Sequence, residues 1–419
     1  MQFKSLNLDG RLQRAVAAAG FSEMTPIQQS AIPVGLEGRD IVGTAQTGTG
    51  KTAAFVLPML QSLLTNPTKR KCVRALIVTP TRELAEQVHA DVTKLARFTK
   101  IKSATVYGGV GMEPQTRALR RGVDIIMACP GRLLDHIGRG NADLRSVKML
   151  VLDEADRMLD MGFLPDVRRI VSHLPAKRQT MLFSATFGRE LNRLVGDVLR
   201  DPQRVAMGLV APADTVEHRL CPVAREQKTD LLLQLLEGAD TDSVLIFTRT
   251  KHRADRVARK MKRSGYSTTV LHSNRSQNQR QKALDGFRSG KYKMLVATDI
   301  AARGLDVKTI SHVINYDIPN TADDYIHRIG RTGRAERTGD ALTLVTADDG
   351  AVVRDIEKAL GKQIPVHRLD GFDYGMPTAA ALWGARGGRS ASGPTSFRSK
   401  GPGPGRRSYR PRGRAAARR

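Results

Sequence analysis

The chain is predicted to be an α/β protein: two parallel-sheet domains in tandem, followed by a disordered basic C-terminal tail. Three observations predict this. Short apolar runs alternate with longer helix-patterned segments, as strands covered on both faces by helices require. The alternation is interrupted at Ala211-Pro212-Ala213-Asp214 and then resumes. From about Asp370 the composition turns to Gly, Pro, Ser, Ala and Arg, which cannot bury a core. The expected boundaries are a first domain over 1–208, a linker over 209–216, a second domain over 217–368 and a tail over 369–419.

At 419 residues the chain can bury two ordinary cores. Its net charge of +27 calls for a polyanionic partner. Ten Arg, one Lys and no acidic residue lie from Tyr374 onward, which leaves +16 on the first 373 residues. Both parts are therefore basic. Cys72, Cys129 and Cys221 lie far apart, with no Cys-x-x-Cys spacing and no nearby His partner, and read as buried or incidental thiols. No run of eighteen apolar residues and no signal-like start appear, so the expectation is a cytoplasmic protein without a membrane partner.

In chain order, Gly20 to Gln28 reads as a turn entering a helix, with Phe3 upstream and Phe21 inside it. The Gln28 carboxamide offers a donor and an acceptor, which is what the N6/N7 edge of an adenine needs. After the strand candidate Asp40 to Gly43 comes Ala45-Gln46-Thr47-Gly48-Thr49-Gly50-Lys51-Thr52, then the helical run Ala53 to Leu64. Gly48 and Gly50 let successive N–H groups converge on an anion at a helix start. Lys51 can reach the outer phosphates, and the Thr52 hydroxyl can ligate Mg²⁺. Further strands are expected at Ala75–Thr79, Ser103–Tyr107, Asp124–Ala128, Lys148–Leu152, Thr180–Phe183 and Arg204–Met207.

Functional residues belong at the carboxyl ends of such strands. Asp153-Glu154-Ala155-Asp156 begins as one strand runs out, with Asp153 placed to hold Mg²⁺ and Glu154 to orient or deprotonate a water. Ser184-Ala185-Thr186 ends another and offers hydroxyls to that acidic cluster. Pro80-Thr81-Arg82, Gly108-Gly109 and Pro130-Gly131-Arg132 suit phosphate oxygens. In the second domain strands are expected at His218–Pro222, Val244–Phe247, Thr268–Leu271, Lys293–Ala297, His312–Asn315 and Ala341–Val345. His327-Arg328-Ile329-Gly330-Arg331-Thr332-Gly333-Arg334 places three arginines at spacing three, which on one helix start would project to one side.

Together these motifs resemble the DEAD-box ATP-dependent RNA helicases of superfamily 2, over about residues 1–365, and are most similar to the short bacterial RhlE-type members. The resemblance implies two RecA-like domains with ATP, Mg²⁺ and RNA bound across the cleft. It assigns the nucleotide to Phe3, Phe21, Gln28, Ala45, Gln46, Thr47, Gly48, Thr49, Gly50, Lys51, Thr52 and Asp306, and the metal to Thr52 and Asp153. Catalysis falls to Lys51, Asp153, Glu154 and His327, with Arg331 and Arg334 as arginine fingers. Ser184, Ala185 and Thr186 couple hydrolysis to unwinding. RNA-backbone positions are Pro80, Thr81, Arg82, Gly109, Gly131 and Arg132, then Thr248, Arg249, Gln277, Arg280, Thr298, Asp299 and Arg303. Ribosomal precursors or the RNA degradation machinery are the implied settings.

Three residues depart from the family pattern: Met24 where Pro is usual, Cys129 where Thr is usual, and Ser273 where Gly is usual. None is a phosphate-chemistry residue, so tuned affinity is expected. Two rivals stand beside ATP-dependent unwinding. One is an ATP-gated RNA clamp or annealing chaperone, which the tail suits. The other is a DNA translocase, disfavoured by the Gln28 loop, the Asp-Glu-Ala-Asp spelling and the lack of an inserted strand-separating domain.

Overall fold

The structure, a computed structural model, describes all residues except 46–48, 69, 207–215, 238–242, 303–309, 333–338 and 375–419, and the side chain of residue 300. All thirteen expected strands are present, with ends shifted by no more than two residues. In the first unit they are β1 (Ile41–Thr44), β2 (Ala75–Val78), β3 (Ser103–Val106), β4 (Ile125–Ala128), β5 (Met149–Leu152), β6 (Gln179–Ser184) and β7 (Gln203–Ala206). In the second they are β8 (Val216–Pro222), β9 (Val244–Thr248), β10 (Thr268–Leu271), β11 (Met294–Thr298), β12 (His312–Asn315) and β13 (Gly339–Val345).

Each set makes one parallel sheet, of order β3-β4-β2-β5-β6-β1-β7 and β10-β11-β9-β12-β13-β8. Alternate residues feed opposite faces, as a pleated strand dictates. In β2, Ala75 and Ile77 join one core cluster and Leu76 and Val78 the other. In β9, Val244 and Ile246 face one layer and Leu245 and Phe247 the other. Both sheets are therefore covered on two sides by helices, and their carboxyl ends are left for ligands. This is the tandem RecA-like architecture.

Two boundaries shift. Val216, placed in the linker from sequence, opens β8 and pairs with Gly339; residues 209–215 lie outside the described residues. Three residues placed in the tail from sequence, Leu369, Phe372 and Tyr374, pack on the second core, and the Leu369 N–H donates to the Tyr374 hydroxyl (2.9 Å); residues 375–419 lie outside the described residues. Composition misplaced the join because three scattered apolar side chains suffice to dock a short segment. No helix among the described residues is long and apolar enough to cross a membrane.

Candidate nucleotide and RNA site

The phosphate loop lies between β1 and the helix Lys51–Thr65. Gly50 sits at φ +89°, and a Cβ there would lie 2.5 Å from Gln28 Nε2, so the close approach of these segments needs glycine. Gln28 Nε2 donates to the Gly50 carbonyl (3.1 Å), while Gln28 Oε1 accepts from the Thr25 N–H (2.8 Å). Each end of the carboxamide keeps one further hydrogen-bonding position for a base edge. Phe3 and Phe21 stack at 5.8 Å, and Lys94 Nζ lies 5.5 Å from the Phe21 ring centroid. Around these groups opens a cavity of about 310 Å³ that runs to Lys51, Thr52, Asp153 and Glu154. Ala45 is buried and donates its N–H to Ser184 O (3.0 Å). Gln46, Thr47 and Gly48 lie outside the described residues. Met24, the first departure, donates its N–H to Met1 O (3.0 Å), a bond that proline could not make.

At the end of β5, Lys51 Nζ stands 4.0 Å from Asp153 Oδ1. Burial, only partly offset by Lys51, pushes Asp153 up to about 6. Such a carboxylate gains from an added cation. Glu154 adopts a left-handed backbone, φ 53°, unusual for a residue with a side chain. Burial would raise its pKa as well, but Arg157, Lys51 and Arg331 outweigh burial and hold it below the usual carboxylate range. Arg157 Nη1 lies 2.6 Å from Glu154 Oε2, with both side chains almost fully buried. Nucleotide and Mg²⁺ fit this donor set: a glycine turn, a lysine, a hydroxyl and a buried carboxylate that an added cation favours. Mg²⁺ takes few protein ligands beside phosphates and water.

Asp156 joins this cluster to the coupling segment. Its Oδ2 accepts from the N–H groups of Ala185 (2.9 Å) and Thr186 (3.0 Å), and its N–H donates to Ser184 Oγ (3.3 Å). Ser184 Oγ in turn donates to Thr186 O (2.7 Å). Across the boundary between the units, His327 Nε2 stands 3.8 Å from the same Asp156 Oδ2. Burial and Arg157 lower His327 to about 4, against the pull of Asp156, so it is a neutral ring there.

The expected row of three arginines on one face is not formed. The helix Ala322–Ile329 ends before Arg331. Arg328 turns inward, pairing with Asp299 through Nε and Nη2 and donating to Asn315 Oδ1 and Asp317 O. Arg331, in the following turn, is buried and acts electrostatically on Glu154 of the first unit. The helix stops at Gly330, so spacing-three logic fails beyond it. Arg303, Asp306 and Arg334 lie outside the described residues.

Among the RNA positions, Thr81 caps the helix Arg82–Leu95 through the Leu84 N–H (3.3 Å). Gly109, at φ +80°, lies under the Arg82 guanidinium, where a Cβ would collide. Arg132 donates to Val110 O (3.1 Å), and Gly131 stands in open space. Pro80 is buried between β2 and the helix that Thr81 caps, whereas Thr298 is partly exposed at the end of β11. Thr248 is fully buried, with its hydroxyl directed at Thr250 O and Ala297 O, so it presents no surface to a strand. Asp299 is engaged by Arg328, and Arg249 is exposed. Gln277 and Arg280 close on the first unit: Arg280 Nη2 to Glu83 Oε1 at 2.8 Å, and Arg82 Nη1 to Gln277 Oε1 at 3.4 Å.

Arg157 and the pairing of Glu83 across the boundary escaped the sequence reading, and Arg328 was read only as one of a row of three arginines. Arg157 stands three residues after Glu154 at a helix start, and that spacing was the available signal. The pairings of Glu83 and Arg328 carried none, because their partners come from remote segments.

Comparisons with known proteins agree with this geometry. The DEAD/DEAH box helicase family matches residues 25–194, and the helicase conserved C-terminal domain matches residues 227–336. The chain is 41% identical over 411 residues to DEAD-box ATP-dependent RNA helicase 30 of Arabidopsis thaliana, covering 95% of this chain and 70% of that one. To DEAD-box ATP-dependent RNA helicase CshA of Geobacillus kaustophilus it is 40% identical over 365 residues, 86% of this chain and 77% of that one. Saccharomyces cerevisiae Dbp5 bound to RNA and ADP BeF3 superposes with a TM-score of 0.78 at 32% identity, over 88% of this chain and 95% of that one. A DEAD box protein from Methanococcus jannaschii gives 0.52 at 35% identity, over 88% and 99%. By sequence, fold and site, the chain belongs to the DEAD-box ATP-dependent RNA helicases.

Proposed function

We propose that this RNA-dependent ATPase binds one RNA strand by its backbone across both units and locally separates short duplexes or remodels RNA–protein complexes. The observation that carries the reading is the split site: Lys51, Asp153 and Glu154 lie on one unit, and the charge of Arg331 on the other acts on Glu154. Hydrolysis then requires the units to be closed, and RNA that spans them favours closure. The higher TM-score to the RNA- and ADP BeF3-bound relative supports this arrangement.

In this reading the adenine lies against Phe21 and Gln28, and Lys51 holds the outer phosphates. Thr52 and Asp153 would hold Mg²⁺, which when bound neutralises charge on the transferring phosphate. Glu154, kept ionised and aimed by Arg157, orients the attacking water. Arg331, with Arg334, stabilises the charge that develops on the phosphoryl oxygens. The Asp156 network passes a change at the acidic cluster to Ala185 and Thr186. Backbone contacts carry no base identity, so sequence preference is weak. A cytoplasmic location, RhlE-like kinship and work on ribosomal precursors or decay substrates belong to the same proposal.

The test is steady-state ATP hydrolysis with no nucleic acid, with single-stranded RNA and with DNA of the same sequence, beside a Glu154→Gln control. Stimulation by RNA alone, abolished in the control, is the expected result. Equal stimulation by DNA would overturn it. ATP-dependent strand separation of a short RNA duplex distinguishes unwinding from a clamp that only holds RNA.

A further inference from the structure

Placed side by side, the two sheets correspond strand for strand: β3-β4-β2-β5-β6-β1 against β10-β11-β9-β12-β13-β8. The connection from β8 to the helix Lys228–Glu237 thus holds the place of the phosphate loop, and that helix starts Lys228-Thr229 as the other starts Lys51-Thr52. The loop differs. Val223 to Gln227 contains no glycine, and Lys228 Nζ donates to Tyr316 O (3.0 Å) and Leu344 O (3.1 Å). Lys228 therefore pins two strand ends instead of following a ligand.

A cavity of about 450 Å³ opens at this place, and six cations line it: Arg225, Lys228, Arg249, Arg253, Arg256 and Lys260. Its wall also holds Glu226, Asp317 and Asp349. Asp317 is taken by Arg253 and the Arg249 N–H, and Asp349 by the Thr346 N–H and hydroxyl. Lys260 pairs with Asp230 outside the cavity. Arg225 and Arg256 are exposed and have no ion pair among the described residues. Positions 253, 256 and 260 recur on one side of the helix Lys251–Arg263, a stripe of about 10 Å at the helical rise, and Arg249 precedes the helix. A single phosphate needs one well. A stripe matches a strand, which carries one charge per about 3.4 Å of helix axis.

We propose that this groove is a second phosphate-backbone site, which holds RNA that continues past the boundary between the units by way of Arg249. The inference rests on RNA being the polyanion that the enzyme binds. Arg249 connects the groove to the candidate RNA positions, and the two unpaired arginines supply its strongest uncompensated charge. Because no base edge is read there, the site adds length-dependent affinity without sequence preference.

The experiment uses the full-length protein with Mg²⁺ and a non-hydrolysable ATP analogue, and single-stranded RNAs of about six and about twenty nucleotides titrated by fluorescence anisotropy between about 50 and 200 mM salt. In an Arg225→Ala/Arg256→Ala variant the longer RNA is expected to bind about tenfold more weakly, with a salt slope smaller by about 1.4. Affinity for the shorter RNA, and hydrolysis stimulated by it, stay unchanged. Unchanged affinity and slope for the longer RNA would overturn the proposal. So would loss of tripolyphosphate binding with long-RNA binding intact, which would make the groove a small-anion site. A wild-type protein that binds neither RNA would sink the RNA reading itself, an outcome separate from the other two.

Discussion

Lys51 and Lys228 occupy the same place in two copies of one topology, each followed by threonine at a helix start. One faces a buried carboxylate 4.0 Å away; the other is held by two backbone carbonyls. The glycines decide between them. Gly50 at φ +89° holds a backbone conformation that a side chain resists, whereas Val223 to Gln227 contains no glycine. Fold therefore supplies the position and the loop supplies the chemistry.

The largest effect that would break this contrast concerns hydrolysis. Lys51→Ala is expected to lower kcat on the order of 10³-fold while the melting temperature stays near that of the parent, and Arg331→Ala to lower it at least as much with nucleotide Kd little changed. Lys228→Ala should do the reverse. It leaves the Tyr316 and Leu344 carbonyls without their donor, which costs about 1–3 kcal/mol of stability, and hydrolysis per folded molecule is retained. Calorimetry and turnover measured on the same three variants check this. A Lys228→Ala protein that is stable but inactive would make the second lysine a ligand group after all.

How much could be read beforehand follows the same division. The strands were legible because local pattern determines them: Ile77 and Val78 alternate between two cores, and Gly50 takes the positive φ that its place at a helix start suggested. Pairings between remote segments were not. Nothing local to Arg328 says that it turns inward to Asp299, while Arg331, three residues on, reaches toward Glu154. Among the expected RNA positions Thr248 is fully buried, because an apolar strand end carries its last hydroxyl into the core.

A smaller effect sharpens the comparison at the boundary between the units. Glu83 and Arg280 are mostly buried and 2.8 Å apart, and each comes from a different unit. Glu83→Gln keeps the shape and removes the charge. It is expected to open the ligand-free arrangement, seen as a shift toward longer distances by energy transfer between labels on the two units, and to raise the RNA concentration for half-maximal hydrolysis about tenfold. Unchanged distances would mean that this pair follows closure instead of favouring it.

The smallest effect comes from His327. With burial and Arg157 holding it at about 4, below the ordinary value of 6.5, the folded state binds fewer protons than the unfolded chain between those limits. Stability is therefore complete above about pH 6.5 and is lost as the pH falls toward 4. From pH 7.5 to 5.5 the loss attributable to this group is about 1 kcal/mol, or a few degrees in melting temperature. His327→Asn cannot take up the proton, so the same pH step should lower its melting temperature by less than in the parent. An equal fall in both would place the acid sensitivity elsewhere, for instance at His136, a fully buried ring whose two nitrogens have no hydrogen-bond partner among the described residues. A larger difference would indicate that protonated His327 also disturbs Asp156, and with it the backbone N–H groups of Ala185 and Thr186 that this carboxylate holds.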